Sequence, residues 1–285
     1  PNVSDTPPDG WVFPIGFGSL SQTQNSGRRV RLAAFSIRGL EAFVSRARGC
    51  DGVDGLLQWS DAVTPTHVWG QVAEPAAVPA LIAQLRPCAF GAGQVIFAQD
   101  DPGERVFVIS CGKVKISLRG PGGRENLVAV LGPSDLFGEL AVFDPGHRTG
   151  TATAITDVTA LWLNRATVRT WMAEQPLVAE RLLQLLTRRL RRTDDDLVGL
   201  ISSDLASRLA RQLLLLAQRF GTQEGDALRV PHELTQTEMA QLVGANRASV
   251  NKALQDFVRR GWILTARKSV LIIDRDALAS IFRAA

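Results

Sequence analysis

Two stretches of the chain combine residue types and spacings that can do chemistry. The first runs Phe137-Gly-Glu-Leu-Ala-Val-Phe-Asp-Pro-Gly-His-Arg-Thr149. A glycine just ahead of a short helical turn exposes backbone N–H groups, which suit an anion. Arg148 can give a phosphate a charge-assisted fork. Glu139 has acceptor oxygens for a sugar hydroxyl. The local chemistry has a second reading, in which a carboxylate and a guanidinium inside a small β-barrel satisfy each other as a structural ion pair.

The second stretch runs Thr235-Gln-Thr-Glu-Met-Ala-Gln-Leu-Val-Gly-Ala-Asn-Arg-Ala-Ser-Val-Asn-Lys-Ala-Leu254. Ala240 is small where two helices cross closely. Gly244 occupies the turn, where a positive φ is readily adopted. Leu242, Val250 and Leu254 supply a shared core. This is helix-turn-helix spacing, with the second helix free to enter a DNA major groove. The candidate DNA contacts are Thr235 and Thr237 on the first helix, Asn246 in the turn, and Arg247, Ser249 and Lys252 on the second. Arg reads the O6/N7 edge of guanine with two donors. Ser and Asn serve phosphates or bases. A hairpin of helices that merely packs would show the same spacing. The charge separates the two readings: residues 205–285 hold 12 basic and 7 acidic side chains, a net +5. Residues 1–70 are balanced at six of each, and residues 71–204 carry 14 basic and 15 acidic. A basic last third fits a polyanionic partner.

These motifs need elements to hold them. The length of 285 residues suggests two domains with an appendage. With 45% hydrophobic and 21% charged residues the composition is globular. No apolar run reaches the roughly 18 residues of a membrane span. Cys50, Cys88 and Cys111 have neither a disulfide nor a zinc or iron–sulfur spacing, which suits a reducing cytoplasm. His67, His147 and His232 are isolated. Residues 1–54, with Pro7-Pro8 and a lysine-free basic segment from Arg28 to Arg48, read as a poorly ordered extension or a mis-assigned start. Residues 56–85 read as short helices. From 86 to 165, short alternating runs are separated by Gly turns: 94–97, 105–109, 113–118, 126–131, 151–155 and 158–163. That pattern predicts a β-sandwich or barrel.

After Thr167 the period becomes helical, with a break at Pro176. A long helix is predicted over 177–201. Ala179, Leu183, Leu186, Leu190, Thr193, Leu197 and Leu200 step by 4, 3, 4, 3, 4, 3. That is a heptad seam, suited to pairing with a second helix, and packing on the chain's own barrel gives a similar stripe. Thr193 is the polar exception. A further helix is predicted over 205–220, then a loop holding Gly221 and Gly225, then helices over 234–243 and 247–260. A hairpin around Ala266-Arg-Lys-Ser269 follows.

The order of parts resembles the cyclic AMP receptor protein/FNR family of bacterial regulators. The resemblance covers about residues 56–285, some four-fifths of the chain. It is carried by Gly138-Glu-Leu140 with Arg148-Thr149, by Arg189-Leu-Arg-Arg-Thr193 and by Leu234 to Leu254. Gly123-Arg-Glu-Asn-Leu127, Gly132-Pro-Ser-Asp135 and Arg219-Phe-Gly-Thr-Gln-Glu-Gly225 look like the actinobacterial branch. The resemblance implies an α+β chain. Its parts are a cyclic-nucleotide-binding β-roll, or jelly roll (55–175), a long dimerisation helix (176–203) and a C-terminal winged helix-turn-helix (204–285). It also implies cyclic AMP (cAMP) as effector, a homodimer, double-stranded DNA as ligand, RNA polymerase as a further partner, and no membrane. By similarity Glu139 takes the ribose 2′-hydroxyl. Arg148 and Thr149, with Gly138 and the backbone at Leu140-Ala141, hold the cyclic phosphate. Thr193 reaches the adenine. Asp194 stands where the family offers Ser or Asn from the partner subunit, and its carboxylate adds negative charge near an anionic ligand.

In the family an Arg, a Glu and a later basic residue read a TGTGA-type half-site. Here these positions hold Arg247, Ala248 and Lys252. Ala248 cannot accept from a cytosine amino group, which predicts relaxed or altered selectivity at that base pair. Two other readings stay open: a family regulator whose pocket takes another effector or none, and a nucleotide-binding regulatory subunit of a partner enzyme. The second has no use for residues 234–254. No nucleophile–base pair, metal-ligand run or P-loop is present, which argues against an enzyme.

Overall fold

The computed structural model describes residues 83–283. The expected extension over 1–54, most of the helical stretch that follows it, Cys50 and His67 lie outside the described residues.

The period-2 runs form eight antiparallel strands in two four-stranded sheets. The first sheet has the order β1 (Arg86–Phe90), β8 (Val158–Asn164), β3 (Arg105–Cys111), β6 (Leu136–Phe137). The second has β2 (Val95–Phe97), β7 (Thr151–Ala154), β4 (Val114–Arg119), β5 (Glu125–Leu131). Alternation along β3 explains how the roll is filled. Phe107 and Ile109 point between the sheets, into a cluster with Val114, Phe137 and Ala152. Val106 and Val108 point outward, under Trp171, Val178 and Leu182. Phe97, Phe107 and Phe137 stack within this interior, with 5.1 Å between the Phe107 and Phe137 centroids. A four-residue helix α1 (Leu140–Phe143) follows β6 directly.

The outer face of the first sheet is covered by α2 (Arg165–Glu174) and α3 (Pro176–Ser202). Asn164 caps α2 by accepting from the Thr167 N–H at 2.7 Å. Pro176 ends nothing inside a helix; it opens α3, where its missing N–H costs no bond. Helix α3 spans 27 residues and uses two different stripes. Val178 and Leu182 pack on the roll, whereas the heptad residues Leu183, Leu190, Leu197 and Leu200 stay exposed. The stripe that packs on the barrel is therefore not the heptad seam.

Helix α4 (Leu205–Phe220) is capped by Asp204, whose carboxylate accepts from the Ser207 N–H at 2.7 Å. The predicted loop around Gly225 is instead a hairpin, β9 (Thr222–Glu224) with β10 (Ala227–Val230). Strand β10 joins a sheet of order β11-β12-β10-β9, in which β11 (Ile263–Ala266) and β12 (Ser269–Ile272) form the predicted basic hairpin. Helices α5 (Gln236–Leu242) and α6 (Arg247–Arg259) lie between, and a last helix α7 (Arg275–Arg283), absent from the sequence reading, closes the core on α4. Leu209, Leu213, Val250, Phe257, Ile263 and Leu278 are its buried centre.

His232, 7% exposed, lies where this unit meets the roll, and its Nδ1 accepts from the Leu234 N–H at 3.0 Å. Burial first, and then the Lys113 cation, push its pKa from 6.5 down to about 4. The folded protein keeps the ring neutral, while the unfolded chain protonates it below about pH 6.5. Its contribution is intact above that pH and is lost as pH falls toward 4, by at most about 3 kcal/mol. Urea melts at stepped pH test this. The His232→Gln variant should show a flatter profile over that window; an identical slope would remove His232 as the cause.

Candidate functional site

The turn between β6 and α1 sets the geometry of the first site. Gly138 adopts φ +75°, and a Cβ there would lie 2.7 Å from Arg148 Nη1 and 3.1 Å from the Arg105 carbonyl oxygen. Only glycine leaves room for the guanidinium. That guanidinium, 5% exposed, donates from Nη1 to the Gly138 carbonyl and from Nη2 to the Arg105 carbonyl, both at 2.7 Å. It lies over the Phe97 ring, 4.1 Å from its centroid. Its backbone is pinned by the Asp100–Asp101 turn, through Arg148 N–H to the Asp101 carbonyl at 2.8 Å and the Asp100 N–H to the Arg148 carbonyl at 2.9 Å. Burial pulls its pKa down, and the Glu139 and Asp101 carboxylates raise it back. The Nε–H is buried and has no hydrogen-bond partner.

The ion-pair reading of Glu139 with Arg148 does not hold. Among the described residues Arg148 has no carboxylate within ion-pair distance, and Glu139, 1% exposed, pairs instead with Arg189 Nη1 at 2.7 Å. Arg189 comes from α3, so the long helix reaches into the cleft between α1 and β4. Gly138, Glu139, Leu140, Ala141, Arg148 and Thr149 are brought together there, beside Ile116 of β4 and Arg189. Thr193 and Asp194 are exposed and lie outside the cleft's lining. Thr193 sits one helical turn beyond Arg189 and its hydroxyl donates to the Arg189 carbonyl at 3.1 Å. The sequence reading missed the role of Arg189. Its signal was the i, i+4 spacing from Thr193, which puts both on one face of α3. The cleft suits a phosphorylated sugar: a buried cation with a spare N–H, a buried carboxylate on the same wall, and a helical turn whose first N–H groups have no partner within it.

The second site is the α5–α6 pair. Thr235 and Glu238 form a capping box, with Glu238 N–H to Thr235 Oγ1 at 3.2 Å and Thr235 N–H to Glu238 Oε2 at 2.8 Å. Asn246 caps α6 by accepting from the Ser249 N–H at 2.8 Å. Two of the residues singled out for DNA thus have a structural duty that their types also explain. Gly244 takes φ +65°, as the turn requires, and its Cα faces Leu200 of α3. Val250 and Phe257 anchor α6 in the core, while Arg247, Ala248, Lys252 and Gln255 are exposed. Thr237 is exposed and Ser249 half-buried. Arg247 Nε donates to Gln236 Oε1 at 3.2 Å, which holds the guanidinium at the start of the helix. The one carboxylate of α6, Asp256, is engaged by Arg259 and Arg260. Arg267 and Lys268 stand exposed at the tip of the β11–β12 hairpin.

A roll whose cleft holds a buried guanidinium, joined by a long helix to a winged helix-turn-helix, places the chain in the class of two-part DNA-binding regulators. Comparison with known proteins agrees. Residues 87–175 match the cyclic nucleotide-binding domain, and residues 207–281 match the Crp-like helix-turn-helix domain. The chain is 56% identical over 209 residues to the CRP-like cAMP-activated global transcriptional regulator of Mycobacterium tuberculosis, spanning 73% of this chain and 93% of that one. It is 35% identical over 170 residues to the cyclic AMP receptor protein of Thermus thermophilus, over 59% of this chain and 75% of that one. A CRP-family regulator from the same organism superposes with a TM-score of 0.59 at 27% identity, over 70% of this chain and 97% of that one. The chain belongs to the Crp family of transcription regulators, in its actinobacterial branch. Its domains and relatives are those of regulators rather than enzymes.

The Glu139–Arg189 pair yields a prediction. Arg189→Ala strands a buried carboxylate and should cost on the order of 2 kcal/mol in a urea melt. Arg189→Lys should restore part of it. Equal stability of all three proteins would mean that Glu139 is satisfied by other groups.

Proposed function

We propose that the protein is a cyclic-AMP-responsive, sequence-specific transcription regulator of the cytoplasm, acting as a homodimer on a palindromic operator and engaging RNA polymerase. The observation that carries this reading is the buried Arg148 guanidinium, with its unpartnered Nε–H, on one wall with Glu139 and within reach of the long helix. Arg148 and Thr149, with the backbone at Gly138, Leu140 and Ala141, would hold the cyclic phosphate. Glu139 would take the ribose hydroxyl, and to do so its carboxylate must share or give up Arg189. Thr193, and Asp194 from the partner, would approach the base. The exposed leucines of α3 would pair the two copies, leaving both recognition helices to read half-sites one helical turn apart. On that reading face Thr235, Thr237, Asn246 and Ser249 would position the backbone, while Arg247 and Lys252 would meet base edges. The 56% identical relative, named as cAMP-activated, supports the choice of nucleotide.

The decisive measurement is a titration of a TGTGA-type palindromic duplex, with and without cAMP, at one salt concentration. Tighter binding with the nucleotide is expected. Equal affinity in both would retain the regulator and remove cAMP as its effector. Arg148→Leu should abolish cAMP binding by calorimetry in a protein that still folds; unchanged binding would overturn the pocket assignment. Arg247→Ala should weaken the palindrome by roughly 1–3 kcal/mol and bulk DNA far less. An equal loss on both would make it a phosphate contact.

A further inference from the structure

What α6 can offer a groove follows from which of its side chains the core leaves over. Val250 and Phe257 are buried, and Ala253, Leu254 and Val258 pack against the same cluster. The opposite stripe is exposed and holds Arg247, Ala248, Lys252, Gln255 and Arg259. Two of its members, Arg247 and Lys252, can donate to the O6/N7 edge of guanine, and the Gln255 amide matches the N6/N7 edge of adenine. No carboxylate lies on the stripe. Asp256, the only acid of α6, is engaged by Arg259 and Arg260. A cytosine amino group therefore meets no charged acceptor there.

Ala248 is the second residue of α6 and brings a bare methyl group. The first turn of such a helix is the part that contacts base edges. The Asn246 side chain is engaged by the Ser249 N–H, and Arg247 is drawn toward Gln236 of α5. The Ala248 methyl is left exposed between Arg247 and Lys252. Against a methyl group the four bases are unequal. The amino group of cytosine and the polar edges of the purines would lose water and gain no partner, which is costly. Thymine presents a C5-methyl, and methyl against methyl removes apolar surface from water.

We propose that Ala248 is a specificity-determining residue that selects thymine through its C5-methyl. At one G·C pair of a TGTGA-type half-site the preferred pair becomes A·T, with thymine in the place of cytosine. The inference rests on the operator-reading function proposed above and names the base that this position reads.

Anisotropy on the full chain with cAMP, at one salt concentration, tests it on duplexes altered in a single half-site of the TGTGA palindrome. Each of the two G·C pairs is replaced in turn by A·T, by A·U and by G·5-methylcytosine. At one of them A·T should bind at least as tightly as G·C. Uracil, which lacks only the methyl group, should weaken binding roughly three- to fivefold relative to thymine, and 5-methylcytosine should strengthen it over cytosine by a similar factor. Ala248→Gly should erase both methyl effects. Ala248→Glu should return the preference to G·C by roughly tenfold, through a carboxylate on the cytosine amino group. A shuffled duplex, held through its phosphates, checks that both variants remain folded. Equal binding of A·T and A·U at both pairs, with the palindrome still preferred to the shuffled duplex, would overturn the methyl contact. A methyl effect of the same size in Ala248→Gly would overturn it too, because the methyl would then act through the shape of the DNA. If wild type prefers no duplex to the shuffled one, the operator reading itself fails, and Ala248 has no base to select.

Discussion

A guanidinium almost wholly withdrawn from water is the constraint around which the cleft is built. Burial acts against the charge of Arg148, and the fold answers with two carbonyl oxygens, an aromatic face and the field of two carboxylates. Each answer places a demand on a neighbour. The Gly138 carbonyl reaches Nη1 only because that residue takes a positive φ and has no side chain to collide with the guanidinium. The Arg105 carbonyl is free because it stands at the beginning of β3. Phe97 is held by the stack with Phe107 and Phe137. The cation is stable enough to stay charged and still keeps one N–H to spend. A group in that condition is what distinguishes a binding cleft from a structural ion pair.

The same constraint explains why Arg189 comes to Glu139. Two buried opposite charges could have paired directly, and then no ion pair would tie the middle of the long helix to the cleft. Because carbonyls take up Arg148, Glu139 needs another cation, and α3 supplies it. Helix α3 is held on the roll by Val178 and Leu182 at one end and by the Glu139–Arg189 pair near its middle. Further on, Arg211 of α4 donates to the Asp195 carbonyl and pairs with Asp196, and Leu200 faces the Gly244 turn. The helix is a rod with polar attachments to both units and an uncovered leucine stripe between them.

Much of this was legible in the residues. Strong alternation, the 4-3 step and the glycine turns identify the roll, the long helix and the helix-turn-helix within a residue or two of their observed bounds, because those patterns report burial on one face. Short elements escaped for physical reasons. Strands β9 and β10 have only three and four residues; β9 pairs with β10, and β10 gains its order from β12, a partner distant in sequence. Strand β6 is two residues long. Helix α7 is only nine residues long, and its apolar residues Leu278, Ala279 and Ile281 cover about one turn, too little to set a period. At the cleft, the residues adjacent in sequence were found and the one brought from α3 was not. Pairing across 50 positions leaves no mark at Glu139 itself, and the hint at Arg189 is its i, i+4 spacing from Thr193. Thr235 and Asn246 show the converse: a small polar residue before a helix is as good a cap as it is a DNA contact, and only geometry shows which duty its side chain already has.

Strand β4 meets different neighbours on its two faces. A strand has two faces with opposite neighbours, so a strand whose inner face meets a ligand cleft necessarily has an outer face that something else must cover or solvent must wet. In the first sheet that cover is α2 and α3, which belong to the roll itself. In the second it is a unit that belongs to another function. Leu127 and Val130 are apolar on an outer face, and an outer face left to solvent would have no use for them. Their presence means that docking of the DNA-binding unit is written into β5. The same docking gives Lys113 and Lys115 carbonyl and carboxylate partners that neither unit provides alone. The cleft and the helix-turn-helix therefore meet opposite faces of one strand on this side of the molecule. One strand, the thickness of a single sheet, separates the cleft from α5.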